Sequence, residues 1–395
     1  MKSFWCALIL VGCAESQVTV FTRAPSPERF PIEVRGTAGT SQYEPALGWS
    51  PRGLVVAWCE TDGTRDRLML GAVTDGGTEV TGTLLDVPHT SWSVPTLIAR
   101  PQGWLLAAQS GPGNVALWFV DAEGRAGPGR DLGGAGYEGH FTGVLMDEGL
   151  LGAWTSGING EYDVWGGFLG EGETPVVDAG SLTPGPAYEY QPALARVGNE
   201  ALLVWDRFSS VVNNTDDVTW RWLGRDAGGS ISLVQNQQVA AAAGGIQMAA
   251  VVWFDTGLRS FVGARVKTSG DVMEPPVVLG AMAGQTFAAA TGSADGVVVA
   301  FTALRGAEPG LRLVPVPDSN AFEGGGVWLA DGAVGPARQG RPSLSGQWVG
   351  FTRYAADGGS RVHIRPFGPV PLGAPCRTNQ ECLTGQCVDR SCVED

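Results

Sequence analysis

Runs of apolar residues recur along the chain at a nearly fixed spacing. The first run is Leu54–Trp58, and six further runs end at Ala108, Trp154, Trp205, Trp253, Phe301 and Phe351. The last residues of successive runs are separated by 50, 46, 51, 48, 48 and 50 residues. A run that is apolar without alternation predicts a strand buried on both faces. Its repetition at this period indicates a repeat architecture.

Three further strand signals surround the apolar run in the first repeat, and the same order recurs along the chain. In the first repeat a short apolar strand at Pro45–Trp49 precedes the run, and strands at Arg67–Val73 and Thr78–Leu85 follow it. The turn Thr74–Gly77 holds the Asp and Gly residues that tolerate the positive φ of tight turns. Four antiparallel strands per repeat form the blade of a β-propeller. The sequence therefore predicts an all-β, seven-bladed β-propeller over residues 31–370.

The seventh repeat lacks a fourth strand on its C-terminal side. Phe367 is followed by Gly368-Pro369-Val370-Pro371, and proline cannot donate a hydrogen bond to a strand ladder. The segment Pro31–Arg35 is a strand signal without a repeat of its own. We expect residues 31–35 to complete the last blade, because this pairing closes the ring and covers its open edges.

Composition and charge exclude several classes of protein. Of the 395 residues 44% are hydrophobic and 17% are charged, which is the opposite of a disordered chain. The formal net charge is −14, and no basic run is present. Proteins that bind nucleic acid or anionic membrane surfaces need clustered Lys and Arg. We therefore expect no nucleic-acid partner.

The N-terminus has the pattern of an export signal. Lys2 precedes the apolar run Phe4–Val11, which is too short to span a bilayer but suits a signal peptide. Gly12-Cys13 follows and resembles the lipobox of bacterial lipoproteins. The resemblance implies a signal peptide at residues 1–12, a lipid on Cys13 and a lipidated tether at residues 13–30. Ala14 after the cysteine favours, by analogy with enterobacterial sorting, an anchor in the outer membrane of the cell envelope.

The C-terminal segment 371–395 has a different composition. Four cysteines lie within 17 residues, and in an exported chain this density indicates two disulfides, whereas zinc sites prefer tighter pairs. The run resembles the short Dickkopf-N-like cysteine-rich module, which implies a disulfide knot and no activity. Three pairings are possible, and we expect Cys376–Cys387 with Cys382–Cys392. Cys59 remains as a single thiol in a core strand.

The sequence contains few signals of catalysis or of a bound cofactor. The three histidines, His89, His140 and His363, lie in different repeats, and no local metal-binding motif, nucleophile elbow or P-loop is present. We expect neither a metal nor a cofactor. Two classes of function remain: a non-catalytic binding or scaffold lipoprotein for a protein, peptide or glycan, and a propeller glycoside hydrolase. Two close carboxylates at the channel mouth would favour the hydrolase.

Aromatic residues with polar neighbours precede the first strand of several repeats. In a propeller such segments form loops around one mouth of the central channel, and the loops after the second strands open on the same face. Aromatic packing between blades is the interpretation we favour, both for these aromatic residues and for the ones that end the apolar runs. The alternative hypothesis is a polar and aromatic face that binds a peptide, a glycan or a partner protein. The candidate ligand-binding residues are Tyr43, Trp92, Tyr137, His140, Tyr190, Asp206 and Arg207.

Overall fold

The computed structural model of the protein describes twenty segments of the chain. Residues 1–31, which hold the predicted signal peptide, Cys13 and the tether, lie outside the described residues, as do Trp92, Cys376 and Cys382. The described segments are 32–50, 53–73, 83–85, 95–110, 113–132, 137–158, 161–170, 176–208, 216–231, 237–268, 273–281, 287–293, 296–305, 308–318, 326–329, 341–346, 348–354, 359–367, 387–388 and 391–392.

Seven four-stranded antiparallel sheets form the blades of a β-propeller, which confirms the predicted fold class. The strands before and in blades one to three are β1 (Ile32–Glu33), β2 (Ser41–Ser50), β3 (Gly53–Thr61), β4 (Asp66–Ala72), β5 (Thr83–Leu84), β6 (Thr96–Arg100), β7 (Gly103–Ser110), β8 (Asn114–Asp121), β9 (Arg130–Asp131), β10 (Tyr137–Met146), β11 (Gly149–Ile158), β12 (Glu161–Leu169) and β13 (Val176–Ser181).

The remaining blades follow in the same order. Their strands are β14 (Tyr188–Val197), β15 (Glu200–Phe208), β16 (Asp216–Leu223), β17 (Gly228–Ile231), β18 (Gln237–Gly244), β19 (Met248–Asp255), β20 (Ser260–Lys267), β21 (Val277–Ala281), β22 (Ala288–Ser293), β23 (Gly296–Arg305), β24 (Glu308–Pro317), β25 (Val327–Leu329), β26 (Ser343–Ser345), β27 (Trp348–Tyr354) and β28 (Ser360–Pro366). The first strands of neighbouring blades contact one another around the whole ring.

Strand β1 supplies the outer strand of the last blade. Ile32 pairs with Ile364 in β28, and the backbone N–H of Val34 donates to the carbonyl of Val362 at 2.9 Å. Both ends of the described propeller chain therefore meet in one sheet. In the C-terminal segment, a two-stranded ladder of β29 (Cys387–Val388) and β30 (Ser391–Cys392) is described, while the disulfide pairing stays a prediction.

The aromatic residues that end the apolar runs pack between blades, as the sequence predicts. Each lies in the second strand of its blade, is at most 6% exposed, and joins a hydrophobic cluster with the preceding blade. Burial of large aromatic rings between sheets is a main source of propeller stability. These residues are Trp58, Trp154, Trp205, Trp253, Phe301 and Phe351.

Three first strands begin earlier than predicted. β2 starts at Ser41, β10 at Tyr137 and β14 at Tyr188, so the prediction that Tyr43, Tyr137 and Tyr190 lie in loops is wrong. A β-bulge in each strand shifts the register at the residues where polar and proline positions suggest a strand end. The bulged residues need no ladder hydrogen bond, so the strand continues through them.

Candidate functional site

A central channel runs between the first strands of all seven blades. It forms a cavity of about 460 Å³. We call the end where the first strands begin the upper mouth and the end where they finish the lower mouth. Residues of the wall, one from each blade in order, are Pro45, Thr96, His140, Pro192, Ala241, Ala288 and Ser343.

Toward the lower mouth, glycine lets three neighbouring first strands, β14, β18 and β22, approach one another closely. A Cβ added to Gly292 in β22 would overlap the carbonyl oxygen of Gly244 in β18. A Cβ added to Gly244 would in turn overlap the carbonyl oxygen of Arg196 in β14. Alanines at 241–243 and 288–290 line the wall above these contacts. Glycine is therefore required where β14, β18 and β22 approach one another.

Three residues at the upper mouth have backbone conformations that side chains rarely adopt. Glu44, His140 and Gln191 have φ of 49°, 51° and 52°, in the left-handed region. Each is the first of the two bulged residues in its first strand, so the three positions are equivalent. Such a conformation costs about 1–3 kcal/mol per residue and is concentrated at functional sites. The residues opposite the three bulges are Trp58, Trp154 and Trp205.

Hydrogen bonds from the preceding blade hold two bulge positions in place. The backbone N–H of Gln191 donates to Thr155 Oγ1 at 3.1 Å, and that of Val239 donates to Asp206 Oδ1 at 2.6 Å. Thr155 and Asp206 both follow the aromatic residue of the second strand. Asp206, a sequence-predicted ligand-binding residue, is fully buried and joins blade four to blade five.

The upper mouth contains an arginine next to an aromatic ring. Arg341 precedes β26 and lines the channel, with its guanidinium carbon 5.3 Å from the ring centroid of Phe287. The side chain is partly accessible from the channel, but the surrounding protein removes it from bulk water. This desolvation lowers the pKa of Arg341, and the charge of nearby Glu44 acts in the opposite direction. The guanidinium stays charged at any physiological pH.

His140 is uncharged at neutral pH in this setting. Its side chain is accessible from the channel, yet the surrounding wall desolvates it and, together with the charge of Arg341, lowers its pKa to about 4. A neutral imidazole keeps one N–H donor and one acceptor nitrogen. His140 therefore offers uncharged hydrogen bonds close enough to Arg341 to be affected by its charge, and Gln191 of blade four also lines the channel.

The described wall of the channel carries positive charge and no carboxylate, although the protein is acidic overall. Its charged residues are Arg196 and Arg341. At the lower mouth Arg196 is held by partners of its own, the carboxylate of Asp147 at 2.7 Å and the carbonyl of Leu145 at 2.6 Å. At the upper mouth the positive charge of the described wall is that of Arg341, and the Glu44 carboxylate nearby offsets part of it.

The other predicted site residues take different positions. Tyr43 is half-buried in the cluster between blades one and two, and burial, with the charges of Cys59 and Asp66, raises the pKa of its phenol. Tyr190 is half-buried in β14. Arg207 is half-exposed, with Nε 3.8 Å from Glu189 Oε1. For Tyr137 the backbone is described, and its side chain lies outside the description. Of the seven candidates, the structure places His140 in the channel wall.

Sequence reasoning missed Gln191, Phe287 and Arg341. The sequence does carry a signal for Gln191 and Arg341: like Glu44 before Pro45, each precedes the proline that opens the predicted first strand of its repeat, Pro192 and Pro342. Comparing the residue before the first-strand proline between repeats would have found both. Phe287 has no comparable signal, because its role depends on blade six standing beside blade seven in the closed ring.

A second group of side chains lies on the upper face between blades three and four. The ring of Tyr188 is 6.4 Å from that of Tyr162 and 6.2 Å from that of Phe208. Beside them, burial raises the pKa of the Glu189 and Asp163 carboxyls. Clustered aromatic rings beside carboxyls of raised pKa are typical of sites that bind sugars or cations.

The described segments contain neither a metal-binding cluster nor a membrane-spanning helix. There, no group of three or more His, Cys, Asp or Glu side chains could hold a metal ion. The described part of the chain also contains no helix long and apolar enough to cross a bilayer.

No protein-family model matches the chain, and no curated protein matches its sequence. Among solved structures, the chain is similar to a Mycobacterium tuberculosis puromycin-hydrolyzing peptidase, with 14% identity and a TM-score of 0.53 over 89% of this chain. It spans 58% of that peptidase's length. An ulvan lyase, from a polysaccharide lyase family, has 9% identity and a TM-score of 0.53, with 82% of this chain and 94% of the lyase covered.

TolB from Acinetobacter baumannii also matches, with 12% identity and a TM-score of 0.39 over 81% of this chain and 78% of TolB. The likenesses to the peptidase and the lyase support a β-propeller fold. At these identities they say nothing about activity.

Proposed function

We propose that the chain is a non-catalytic β-propeller binding module, which takes part of a protein, peptide or glycan into the upper mouth of its channel. One observation carries this proposal: three first strands hold polar residues in the left-handed conformation at equivalent positions of the mouth. The fold does not need this strain, because Val239 has the matching position in blade five without it. Strain that recurs at equivalent positions of one mouth supports a binding site there.

Binding is favoured over hydrolysis by the chemistry of the channel wall. Glycoside hydrolysis uses two carboxyl groups about 5–10 Å apart. The described wall contains no carboxylate, and His140 has no acidic partner there. The propeller hydrolase is kept as the alternative, because Glu189 and Asp163 have raised pKa values beside the Tyr188 ring. Turnover of a glycan that a Glu189→Gln variant loses would favour this alternative.

The proposed address is the cell envelope, with a lipid on Cys13 anchoring the propeller to the outer membrane. The support is the sequence pattern of residues 1–13. A Cys13→Ser variant should leave the membrane fraction and lose incorporation of labelled palmitate. If wild type and variant fractionate alike and neither incorporates labelled palmitate, the lipid anchor is excluded. The binding proposal is unaffected by that result.

The binding proposal is tested with glycine at two strained positions. Glycine adopts the left-handed conformation freely, so His140→Gly with Gln191→Gly removes both side chains and relieves strain. We expect an equal or higher melting temperature, together with loss of the partners captured by crosslinking in intact envelopes and of glycan-array binding.

The matched control is Arg259→Gly. Arg259 also has a left-handed backbone, with φ of 48°, but lies in the β19–β20 turn away from the channel wall. This variant should gain stability similarly and keep every partner. Unchanged capture by the His140→Gly, Gln191→Gly variant would contradict the proposed function.

A further inference from the structure

Charge is distributed unevenly in the molecule. A chain with a formal net charge of −14 has a channel whose described wall holds two arginines and no carboxylate. Arg196 is committed to Asp147 and to backbone carbonyls at the lower mouth. Arg341 is therefore the cation that the described wall offers to a ligand at the upper mouth, with the Glu44 carboxylate nearby, and a cation of this kind favours an anionic ligand group.

The surroundings of Arg341 strengthen its electrostatic interaction with an anion. Its guanidinium lies over the Phe287 ring, and the protein around it replaces much of the water that would solvate its charge. A charge removed from water interacts more strongly with a partner that enters the same site. The planar fork of a guanidinium matches a carboxylate with two parallel hydrogen bonds.

The charges of the side chains around Arg341 favour a ligand group with a single negative charge. Arg341 is one cation, and the Glu44 carboxylate next to the wall offsets part of its field. His140 is neutral above a pH of about 4, so it adds a hydrogen bond but no charge. A phosphate dianion needs more positive charge than one partly offset arginine supplies. A carboxylate needs one arginine and one or two neutral donors, which Gln191 and His140 can provide.

The volume of the cavity limits the size of the ligand group that carries the carboxylate. The described wall below the mouth is mostly uncharged and includes the alanines at 241–243 and 288–290. A cavity of about 460 Å³ holds a group the size of a sugar residue or of one to two small amino acids. Uronic acids and peptide C-termini both present a carboxylate on a group of this size.

We propose that the upper mouth is a carboxylate-binding site, in which Arg341 pairs with the carboxylate of the ligand and Gln191 and His140 donate hydrogen bonds to it. The inference rests on the proposed binding function and specifies the ligand group that the channel receives.

The test is isothermal titration calorimetry at low ionic strength with paired probes. The peptide pair is N-acetyl-alanyl-alanine and its C-terminal amide, and the sugar pair is glucuronate and glucose. We expect one acid to bind and its neutral counterpart to bind roughly ten- to hundredfold more weakly. The pair that discriminates identifies the source of the carboxylate, and tighter binding of inorganic phosphate would overturn the proposal.

Substitutions test whether the preference for the acid over its neutral counterpart arises at the upper mouth. Arg341→Gln should lose the preference for the acid, whereas Glu44→Gln should strengthen acid binding roughly two- to fivefold. Arg259→Gln makes the same change of charge on the upper face and should leave binding unchanged. If Arg341→Gln does not fold, Arg341→Lys, which keeps charge but loses the fork, replaces it, and the paired probes on wild type still decide.

The two proposals fail separately. The carboxylate site is overturned if acids and neutral probes bind equally, or if neither binds. If the glycine variant still loses its captured partners in that case, the binding function remains supported. Unchanged partner capture by the glycine variant overturns the binding function itself.

Discussion

At the scale of single residues, a buried carboxylate organises the start of the propeller. Glu60 is fully buried and accepts hydrogen bonds from Trp58 Nε1 at 2.9 Å, from Thr40 Oγ1 at 3.2 Å and from the backbone N–H of Thr37. Gln42 Nε2 donates to it as well, at 3.4 Å. Buried polar groups are tolerated when they are satisfied in this way. Glu60 thus ties the segment after β1 to blade one.

Removing this acceptor should be costly. Glu60→Ala leaves the Trp58 indole and the Gln42 amide without an acceptor in a buried place, and we expect a loss of about 2–4 kcal/mol in the free energy of unfolding. Urea titration followed by tryptophan fluorescence measures it. The control is Glu148→Ala, an exposed glutamate in the β10–β11 turn, which should change stability by less than about 0.5 kcal/mol. Equal losses in both variants would contradict this role of Glu60.

At the scale of elements, the second strands could be predicted well and the first strands only in part. A run such as Leu54–Trp58 is buried on both faces, so its composition alone identifies it. The first strands change character within their length: an apolar half lies between blades, and a bulged polar half lies at the mouth. A bulge interrupts the alternation from which strands are predicted, so the polar half resembles a loop.

The candidate site was harder to predict than the fold for a related reason. Its side chains come from blades three, four, six and seven, which lie far apart in sequence and meet only when the ring closes. His140 could be proposed because it follows an aromatic residue in the same segment. Asp206, by contrast, has the composition of a site residue but a buried structural role, and only its neighbour Val239 reveals this.

The close approach of the first strands gives a prediction for one glycine. Gly292→Ala places a methyl group against the carbonyl oxygen of Gly244, a backbone atom that cannot move independently. We expect a loss of about 1–3 kcal/mol in unfolding free energy, measured by urea titration. Gly180→Ala in β13 is the matched control, because no atom lies within 4 Å of the added Cβ, and it should be neutral or slightly stabilising. The same loss in both variants would show that strand propensity, not contact, decides.

At the scale of the whole molecule, stability depends on joining the two ends of the ring. Gln42 connects blade one to blade seven: its Oε1 accepts from the backbone N–H of Val362, and its carbonyl accepts from Ser360 Oγ at 2.7 Å. Two serines of β26 continue this contact by accepting from backbone N–H groups of β2. Opening this junction would expose strand edges on both sides, so the ring is expected to unfold as a unit.

The junction also contains a group that makes closure sensitive to acid. His363 in β28 lies opposite Glu33 and Phe351, and its ring stacks on Phe351 at 5.8 Å. Burial, helped by the charges of Arg353 and Arg361, lowers its pKa to about 4. The unfolded chain titrates near 6.5, so it binds more protons than the folded chain between these values. Stability should therefore fall as the pH falls from about 6.5 to 4, and change no further through this group below 4.

A His363→Phe variant tests this origin of acid sensitivity. The phenyl ring can keep the stacking contact and cannot be protonated, so the loss of unfolding free energy between pH 7 and pH 4 should shrink by up to about 3 kcal/mol. Urea titrations at half-unit pH steps give the slope of unfolding free energy against pH for each protein. This slope does not depend on any pH-independent loss of stability that the substitution causes. His140 contributes in the same direction in both proteins, and carboxylates contribute equally below about pH 5. Parallel pH profiles for wild type and variant would mean that the ring does not close around a neutral His363.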